Sequence, residues 1–468
     1  MANSFRAPHL SHVGRSDPAP FRGPQPERLG LYPDVDRAVG AARHAFLALD
    51  KMSLETRRRI VEAIRGVARR DAAELGRMAA EETGLGRPED KEQKNLLVAN
   101  RTPGPEILQA EAISGDGGLT LTERAPYGVI AAITPSTNPT STVFNNAISM
   151  LSAGNAVVFN VHPGANRVCN ETIRRINRAI TAAGGPPDLL TAPEAATIES
   201  AQALMVHPGV RLLLVTGGPG VVREAMRSGK RAICAGPGNP PVVVDESADV
   251  ALAGRQIVFG ASFDNNVICT AEKEVFVVRS VADELLAGMQ NHNALLLPKY
   301  KLAQLEKVIF SEMGAPGKPG VTNKRWVGKY PWQILREIGI EAGPELRLIV
   351  VDVPAEHPLV WTEQLMPVLP VVRVENADAA IDLAVAAEHG FGHTAAMYSR
   401  NIDNLSRMAR EINCSIFVKN GPTLAGLGYG GEGYTSFSIA SPTGEGLTTA
   451  LTFSRIRRCV MVDHFRIV

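Results

Sequence analysis

From Ser53 to about Glu82, apolar Leu54, Ile60, Val61, Ile64, Val67, Ala68, Leu75 and Met78 recur at helical spacing among Arg and Glu, with Gly84 and Gly86 just beyond. That spacing predicts a long amphipathic helix with a break near Asp71. After Tyr127 the pattern changes to short apolar runs: Val129–Ile133, Ala156–Val161, Leu212–Val215, Val242–Val244, Val275–Val278, Leu348–Val353, Val368–Val374 and Ser415–Val418. Runs of that length suit strands covered on both faces, and intervals such as Arg167–Ala183 suit crossover helices. The chain therefore reads as an open α/β protein built from parallel sheets. The stretch near Asp245–Asp249 is expected to separate two of them, because the GPGNPP run before it cannot continue any regular element. Thr120–Glu123 alternates and Arg457–Val468 mixes apolar with basic residues, so both are expected to be exposed strands of an oligomerisation flap. Pro8, Pro18, Pro20, Pro24, Pro26 and Pro33 make the N-terminal stretch an expected extended arm.

The 468 residues allow roughly three domains, or two with an appendage. Composition is that of an ordinary globular chain, 45% hydrophobic and 21% charged, which excludes disorder for the bulk of it. With 49 Lys and Arg against 48 Asp and Glu, the net charge of +1 gives no field that favours nucleic acid or an anionic membrane as a partner. No apolar run approaches the ~18 residues of a membrane span, and the N-terminus lacks a secretory h-region, so a cytoplasmic location is expected. The five cysteines, Cys169, Cys234, Cys269, Cys414 and Cys459, form no CxxC and no close pair. They predict no disulfide framework and no metal site, and leave room for one working thiol.

Cys269 stands out because it follows a polar Asn265–Asn266 pair and precedes the strand at Val275. A thiol at the mouth of a strand is open to substrate, and Lys273 is placed to lower its pKa. Free cysteine is also among the most buried residue types, so spacing alone leaves a core role open. Asn138, in TPSTNP directly after Val129–Ile133, is either an oxyanion donor or a turn residue before Pro139. Thr216-Gly-Gly-Pro-Gly220 links a strand to an expected helix Val221–Ser228, a geometry that suits a phosphate or simply a tight turn. Gly426-Leu-Gly-Tyr-Gly-Gly431 matches GxGxxG by letter but has no preceding strand, and the glycines and proline beyond it forbid a helix. His389 and His393 flank glycines and lack further ligands, so they read as structural.

Taken in order, TPSTNP, GNAVVFN (Gly154–Asn160), TGGPG, AGPGNPP, the Cys269 segment and TEQLMPVLPVVRV (Thr362–Val374) resemble the aldehyde dehydrogenase superfamily from about residue 35 to the end. More narrowly, FDNNVICTAEKEVFVV, GPGNPPVVVDESAD and GLGYGGEGYTSFSIASPTGEG resemble its coenzyme-A-acylating branch, the propionaldehyde and acetaldehyde dehydrogenases of bacterial microcompartments. The resemblance implies two open parallel α/β domains plus a small β oligomerisation flap. After an arm at 1–33 it implies a nucleotide-binding domain at 34–111 and 128–236, a catalytic thiol domain at 237–445, and a flap at 112–127 and 446–468. It makes Cys269 the nucleophile, Asn138 the oxyanion donor, Glu363 a contact to the nicotinamide-side ribose, and Thr216, Gly217 and Gly218 part of the nucleotide site. Asn160 stands where hydrolytic members carry a ribose-binding lysine, and His162 is expected to take some of that role. Cys234 stands where they carry the glutamate base.

The implied activity is NAD-dependent oxidation of a short C2–C3 aldehyde to acyl-CoA, through a Cys269 thioester resolved by coenzyme A. The implied partners are a small aldehyde, coenzyme A, further copies in a homodimer or homotetramer, and a microcompartment shell or cargo, with the lumen as the alternative location. Two rival readings remain: a hydrolytic enzyme with its base at Glu272 or Glu432, and a catalytically silent scaffold or cargo protein.

Overall fold

Val129–Ile133 is buried at every position and lies inside a six-stranded parallel sheet, in a computed structural model that describes residue 23 and residues 26–468. In spatial order that sheet runs Leu31–Tyr32, Leu190–Pro193, Ala156–Asn160, Val129–Ile133, Leu212–Thr216 and Ala232–Ala235. The chain first builds outward on one side of Val129–Ile133 and then crosses to the other. A crevice therefore opens at the carboxyl ends of Val129–Ile133 and Leu212–Thr216, where open α/β sheets receive ligands.

The helix that leaves this crevice, Pro139–Ser152, carries no charged residue and is buried along its whole length. An all-round neutral helix has no solvent face to offer and so becomes interior. Leu54–Arg70, Pro88–Arg101 and Asn166–Ala182 pack around it. The expected long helix is indeed interrupted at Asp71, which ends Leu54–Arg70 and precedes Ala72–Thr83.

A second sheet holds seven parallel strands in the order Ala294–Leu296, Leu348–Asp352, Val368–Val374, Glu274–Val278, Pro241–Val244, Thr394–Tyr398 and Ile416–Lys419. Pro241–Val244 already belongs to it, so the sheets separate at residues 236–240 rather than at Asp245–Asp249. The proline and glycine run is itself the divider. Strands with few branched apolar residues, such as Thr394–Tyr398 (TAAMY), escape the periodicity argument although they are fully buried. Most of the expected arm lies outside the described residues. Its end is not an arm: Leu31 and Tyr32, each 2% exposed, form the edge strand of the first sheet.

Glu111–Gly115, Gly118–Pro126 and Ser454–Val462 form a separate antiparallel sheet. The two segments expected to seek a partner thus pair with each other. The architecture is two open parallel α/β units with a small β flap, as the sequence implied.

One buried side chain moors the flap. Asn155 Oδ1 accepts from Tyr127 N (2.7 Å) and Gly128 N (3.1 Å), and its Nδ2 donates to Met150 O (3.0 Å) and Phe453 O (2.9 Å). It therefore holds the end of one flap strand and the start of another against the first sheet. Asn155→Ala leaves Tyr127 N, Gly128 N and Phe453 O without this partner, while Met150 O keeps the backbone N–H of residue 155, and should cost about 2–4 kcal/mol. Urea unfolding measures this; a loss below about 1 kcal/mol would show that the flap is moored elsewhere.

Candidate active site

The crevice at the carboxyl ends of Val129–Ile133 and Leu212–Thr216 widens into a cavity of about 1040 Å³. Asn138, Asn160, His162, Thr216, Gly217, Gly218, Cys269 and Glu363 all line it. Residues from both sheets and from segments more than 200 positions apart thus meet around one space.

Cys269 is partly exposed to this cavity. It follows the turn Phe263–Asn266, in which Asp264, Asn265 and Asn266 adopt left-handed φ of 49°, 51° and 67°. Three consecutive residues in that region are costly and persist only when their side chains are held. Each is held. Asp264 Oδ1 accepts from Arg87 N at 2.6 Å, and its Oδ2 accepts from Lys91 Nζ at 2.9 Å and from Lys94 Nζ. Asn265 accepts from Arg87 Nε (2.7 Å) and donates to Gly328 O (3.0 Å). Asn266 donates to Ala261 O and Glu272 O and accepts from Lys273 Nζ at 2.5 Å. Gly86, at φ 75°, passes so close to the Asp264 carboxylate that any side chain there would strike it.

Burial pushes the Cys269 thiol up to about 11, and the Glu363 charge adds to this, while Lys273 and Lys94 pull the other way. Lys273 is itself lowered to about 8 by burial, against Glu363 and Cys269. The resting group is therefore a thiol near neutrality. His393 was expected to be structural, yet it packs against Gly238 beside the Cys269 carbonyl. Burial holds it down to about 4, so it is neutral, and its Nε2 has no hydrogen-bond partner.

Asn138 precedes the first turn of Pro139–Ser152, and its side chain makes no cap bond there. Its Oδ1 instead accepts from Lys94 Nζ at 2.6 Å, and its Nδ2 donates to Thr137 Oγ1 at 3.1 Å. One amide N–H thus remains for a ligand. Lys94 and Lys91 escaped the sequence reading because charged residues inside a helix are ordinarily its solvent face, whereas here both are 2% exposed.

At the other end of the cavity, Gly217 N donates to Ala235 O (3.1 Å), and nothing lies within 4 Å of where a Cβ on Gly218 or Gly220 would sit. That open backbone at the start of Pro219–Arg227 fits a dinucleotide's phosphates. The Thr216 hydroxyl is shared with Ser438 Oγ (3.0 Å). Asn160 donates to Thr197 O (3.2 Å) and accepts from Ser200 Oγ (2.5 Å), so its amide is already engaged. His162 accepts from Gly164 N through Nδ1 (3.0 Å), and burial lowers its pKa. Glu363 Oε1 accepts from Gly238 N at 3.3 Å, and burial raises its pKa.

Cys234 is fully buried and, unlike the neighbouring Ala235, Gly236 and Pro237, does not line the cavity. Neither alternative base lines it either. Glu272 is buried with Oε1 accepting from Thr423 N (2.9 Å), and Glu432 is exposed at the surface. GxGxxG at Gly426–Gly431 begins within the short helical turn Thr423–Leu427 and continues as bends and turns, with no strand–helix junction. His389 Nε2 donates to Trp361 O (2.9 Å) and His393 Nδ1 shares a hydrogen bond with Thr394 Oγ1 (2.8 Å), so the pair does not converge.

A thiol held near 11 has a thiolate fraction that grows with every step in pH below that value. The rate of Cys269 alkylation by iodoacetamide in the resting protein should rise about tenfold per pH unit between 7 and 9. A plateau reached by pH 8 would mean that the cations beside Cys269 outweigh its burial.

Known proteins resemble this chain over most of its length. The model of the "Aldehyde dehydrogenase family" matches residues 29–298 and 347–449. Acetaldehyde dehydrogenase (acetylating) EutE of Salmonella typhimurium is 51% identical over 441 residues, 94% of each chain. A Rhodopseudomonas palustris propionaldehyde dehydrogenase, solved with bound CoA and an acylated cysteine, superposes with a TM-score of 0.90 at 46% identity, over 93% of this chain and 98% of that one. A propionaldehyde dehydrogenase from the Clostridium phytofermentans fucose utilisation bacterial microcompartment does so with a TM-score of 0.91 at 43% identity, over 94% and 100%. With its two-sheet frame, its cavity thiol and a family match over most of its length, the chain belongs to the aldehyde dehydrogenase family.

Proposed function

We propose that this protein oxidises a C2–C3 aldehyde with NAD and transfers the acyl group to coenzyme A. The observation that carries the reading is the make-up of the cavity: a thiol, an amide donor and a glycine turn line it together, while the position of a water-activating glutamate is a buried cysteine. The names of the relatives, acetylating and propionaldehyde dehydrogenases at 43–51% identity, support the same class.

In this reading the Cys269 sulfur, as thiolate, bonds to the aldehyde carbon, and the carbonyl π pair moves to oxygen. The free Nδ2 hydrogen of Asn138 holds that oxyanion. Gly217, Gly218, Glu363 and His162 would hold NAD, which would accept the hydride released when the oxyanion collapses and the carbon–hydrogen bond of the adduct breaks. Cys269 is left as a thioester, and the acyl group then passes to the thiol of coenzyme A, which returns the Cys269 thiolate. Water is the competing acceptor. With a pKa of about 15.7 it needs a base or metal to attack quickly, whereas a thiol of about 8.5 is already a few per cent ionised at neutrality. A cavity without a placed base therefore favours the thiol. Of the two carboxylates that do line it, Glu363 accepts a bond from Gly238 N and Glu224 is exposed on Pro219–Arg227.

We also infer that the flap meets further copies of the chain. Ile113, Ile456 and Val460 are 67%, 61% and 56% exposed on a sheet whose outer strand edge is open. Residence in a microcompartment is supported by the C. phytofermentans relative.

With NAD, coenzyme A and acetaldehyde or propionaldehyde, NADH and acyl-CoA should form in equal amounts; free acid formed at the same rate with or without coenzyme A would overturn the reading. Cys269→Ala should fold normally and form no NADH. Asn138→Ala should lower kcat by roughly 10²–10³, and a loss below about threefold would remove it from the oxyanion site.

A further inference from the structure

We propose that Lys94 is the positioning residue that orients the oxyanion donor and ties it to the nucleophile's loop; this rests on the reading of Asn138 as that donor.

An asparagine amide is nearly symmetric in shape, and only its partners decide which end faces a ligand. Turned the wrong way, Asn138 would present a carbonyl oxygen to a forming oxyanion. Lys94 excludes that orientation. Its ammonium has three donors and no acceptor, so the group 2.6 Å away must be Oδ1, and Nδ2 is left on the opposite side of the amide. Thr137 Oγ1 takes one Nδ2 hydrogen at 3.1 Å, which leaves the other for the cavity that Asn138 lines.

Lys94 does not line the cavity itself. It acts from behind, on the helix Pro88–Arg101, where it shares a face with Lys91 three positions earlier. Both ammonium groups reach Asp264 Oδ2, and Lys91 also donates to Thr137 O at 3.2 Å. One helix face therefore grips the donor's loop from the first sheet and the nucleophile's turn from the second. Asp264 is the counter-charge that lets the ammonium stay buried, since an unpaired buried cation would be strongly destabilising. The burial lowers Lys94 to about 8, and Asp264 opposes that shift.

The test separates positioning from scaffolding by comparing two reactions of the same thiol. Alkylation of Cys269 by iodoacetamide develops no oxyanion, whereas aldehyde oxidation does. Single-turnover NADH formation and alkylation are measured for Lys94→Met, Lys94→Gln, Asn138→Ala and the double variant Lys94→Met with Asn138→Ala. The proposal predicts that Lys94→Met slows NADH formation about 10–100-fold, with KM for aldehyde within about threefold and alkylation within about fivefold. Lys94→Gln, which keeps an N–H donor, should recover part of the loss. In the Asn138→Ala background, Lys94→Met should cost less than about threefold further, because the group it orients is gone.

Multiplicative losses in the double variant, or equal losses of alkylation and oxidation, would overturn the proposal in favour of a folding role. Lys94→Met within twofold of the parent would also overturn it. If Lys94→Met does not fold, Lys94→Leu replaces it in the cycle under the same criteria, and if that also fails to fold, a loss in Lys94→Gln that multiplies with that of Asn138→Ala or falls equally on alkylation overturns the proposal. An Asn138→Ala loss below about threefold would remove the donor reading together with this one, while a large Asn138→Ala loss beside an intact Lys94→Met removes this one alone.

Discussion

The buried carboxylate of Asp264 is the interaction on which the geometry of the site depends. It sits at the head of a turn with three successive left-handed residues, a conformation that the chain would not hold unaided. Its oxygens collect the Arg87 backbone N–H and the ammonium groups of Lys91 and Lys94, all from the segment that opens the helix Pro88–Arg101. Because the same lysines reach Thr137 O and Asn138 Oδ1, two loops grown from different sheets share one electrostatic joint. Asp90 closes the arrangement by accepting from Asp264 N at 2.8 Å while Arg347 stands against it at 3.3 Å. In so dry a place each charge would be costly alone, and each is tolerable because the others are there.

That joint explains what the sequence could and could not reveal. Strands such as Val129–Ile133 and Val368–Val374 are legible to the residue, because a strand covered on both faces favours short apolar runs rich in Val, Ile and Leu, which Thr394–Tyr398 lacks. Cys269 and Asn138 are legible as candidates because each follows or precedes a strand among polar neighbours, and the family motifs then select them. Lys91 and Lys94 are not legible. PEDKEQKN reads as the charged face of a surface helix, and nothing local says that its lysines turn inward onto a carboxylate some 170 residues later. Cys234 was misleading in the opposite way. Its alignment with a catalytic glutamate is informative, yet its side chain lies outside the cavity lining. The edge strand Leu31–Tyr32 was hidden by prolines on both sides, which restrict the flanks without forbidding a two-residue pairing.

Chemical direction follows from what the cavity omits as much as from what it holds. Glu272, raised to about 7 by burial, has the character of a base but is bound to Thr423 N away from the cavity lining. Neutral His393 stands beside the Cys269 backbone with an unsatisfied Nε2. Burial thus draws Glu272 up to about 7 and Lys273 down to about 8, while it pushes His393 down to about 4 and leaves a neutral imidazole beside the thiol.

The central claim is that donor and nucleophile are held in register by one buried carboxylate. Amide hydrogen exchange in Asp264→Asn measured against the parent protein tests it most directly. The account predicts that residues 134–138 and residues 263–269 lose protection together, although they belong to different sheets. Loss confined to residues 263–269, with 134–138 unchanged, would contradict it.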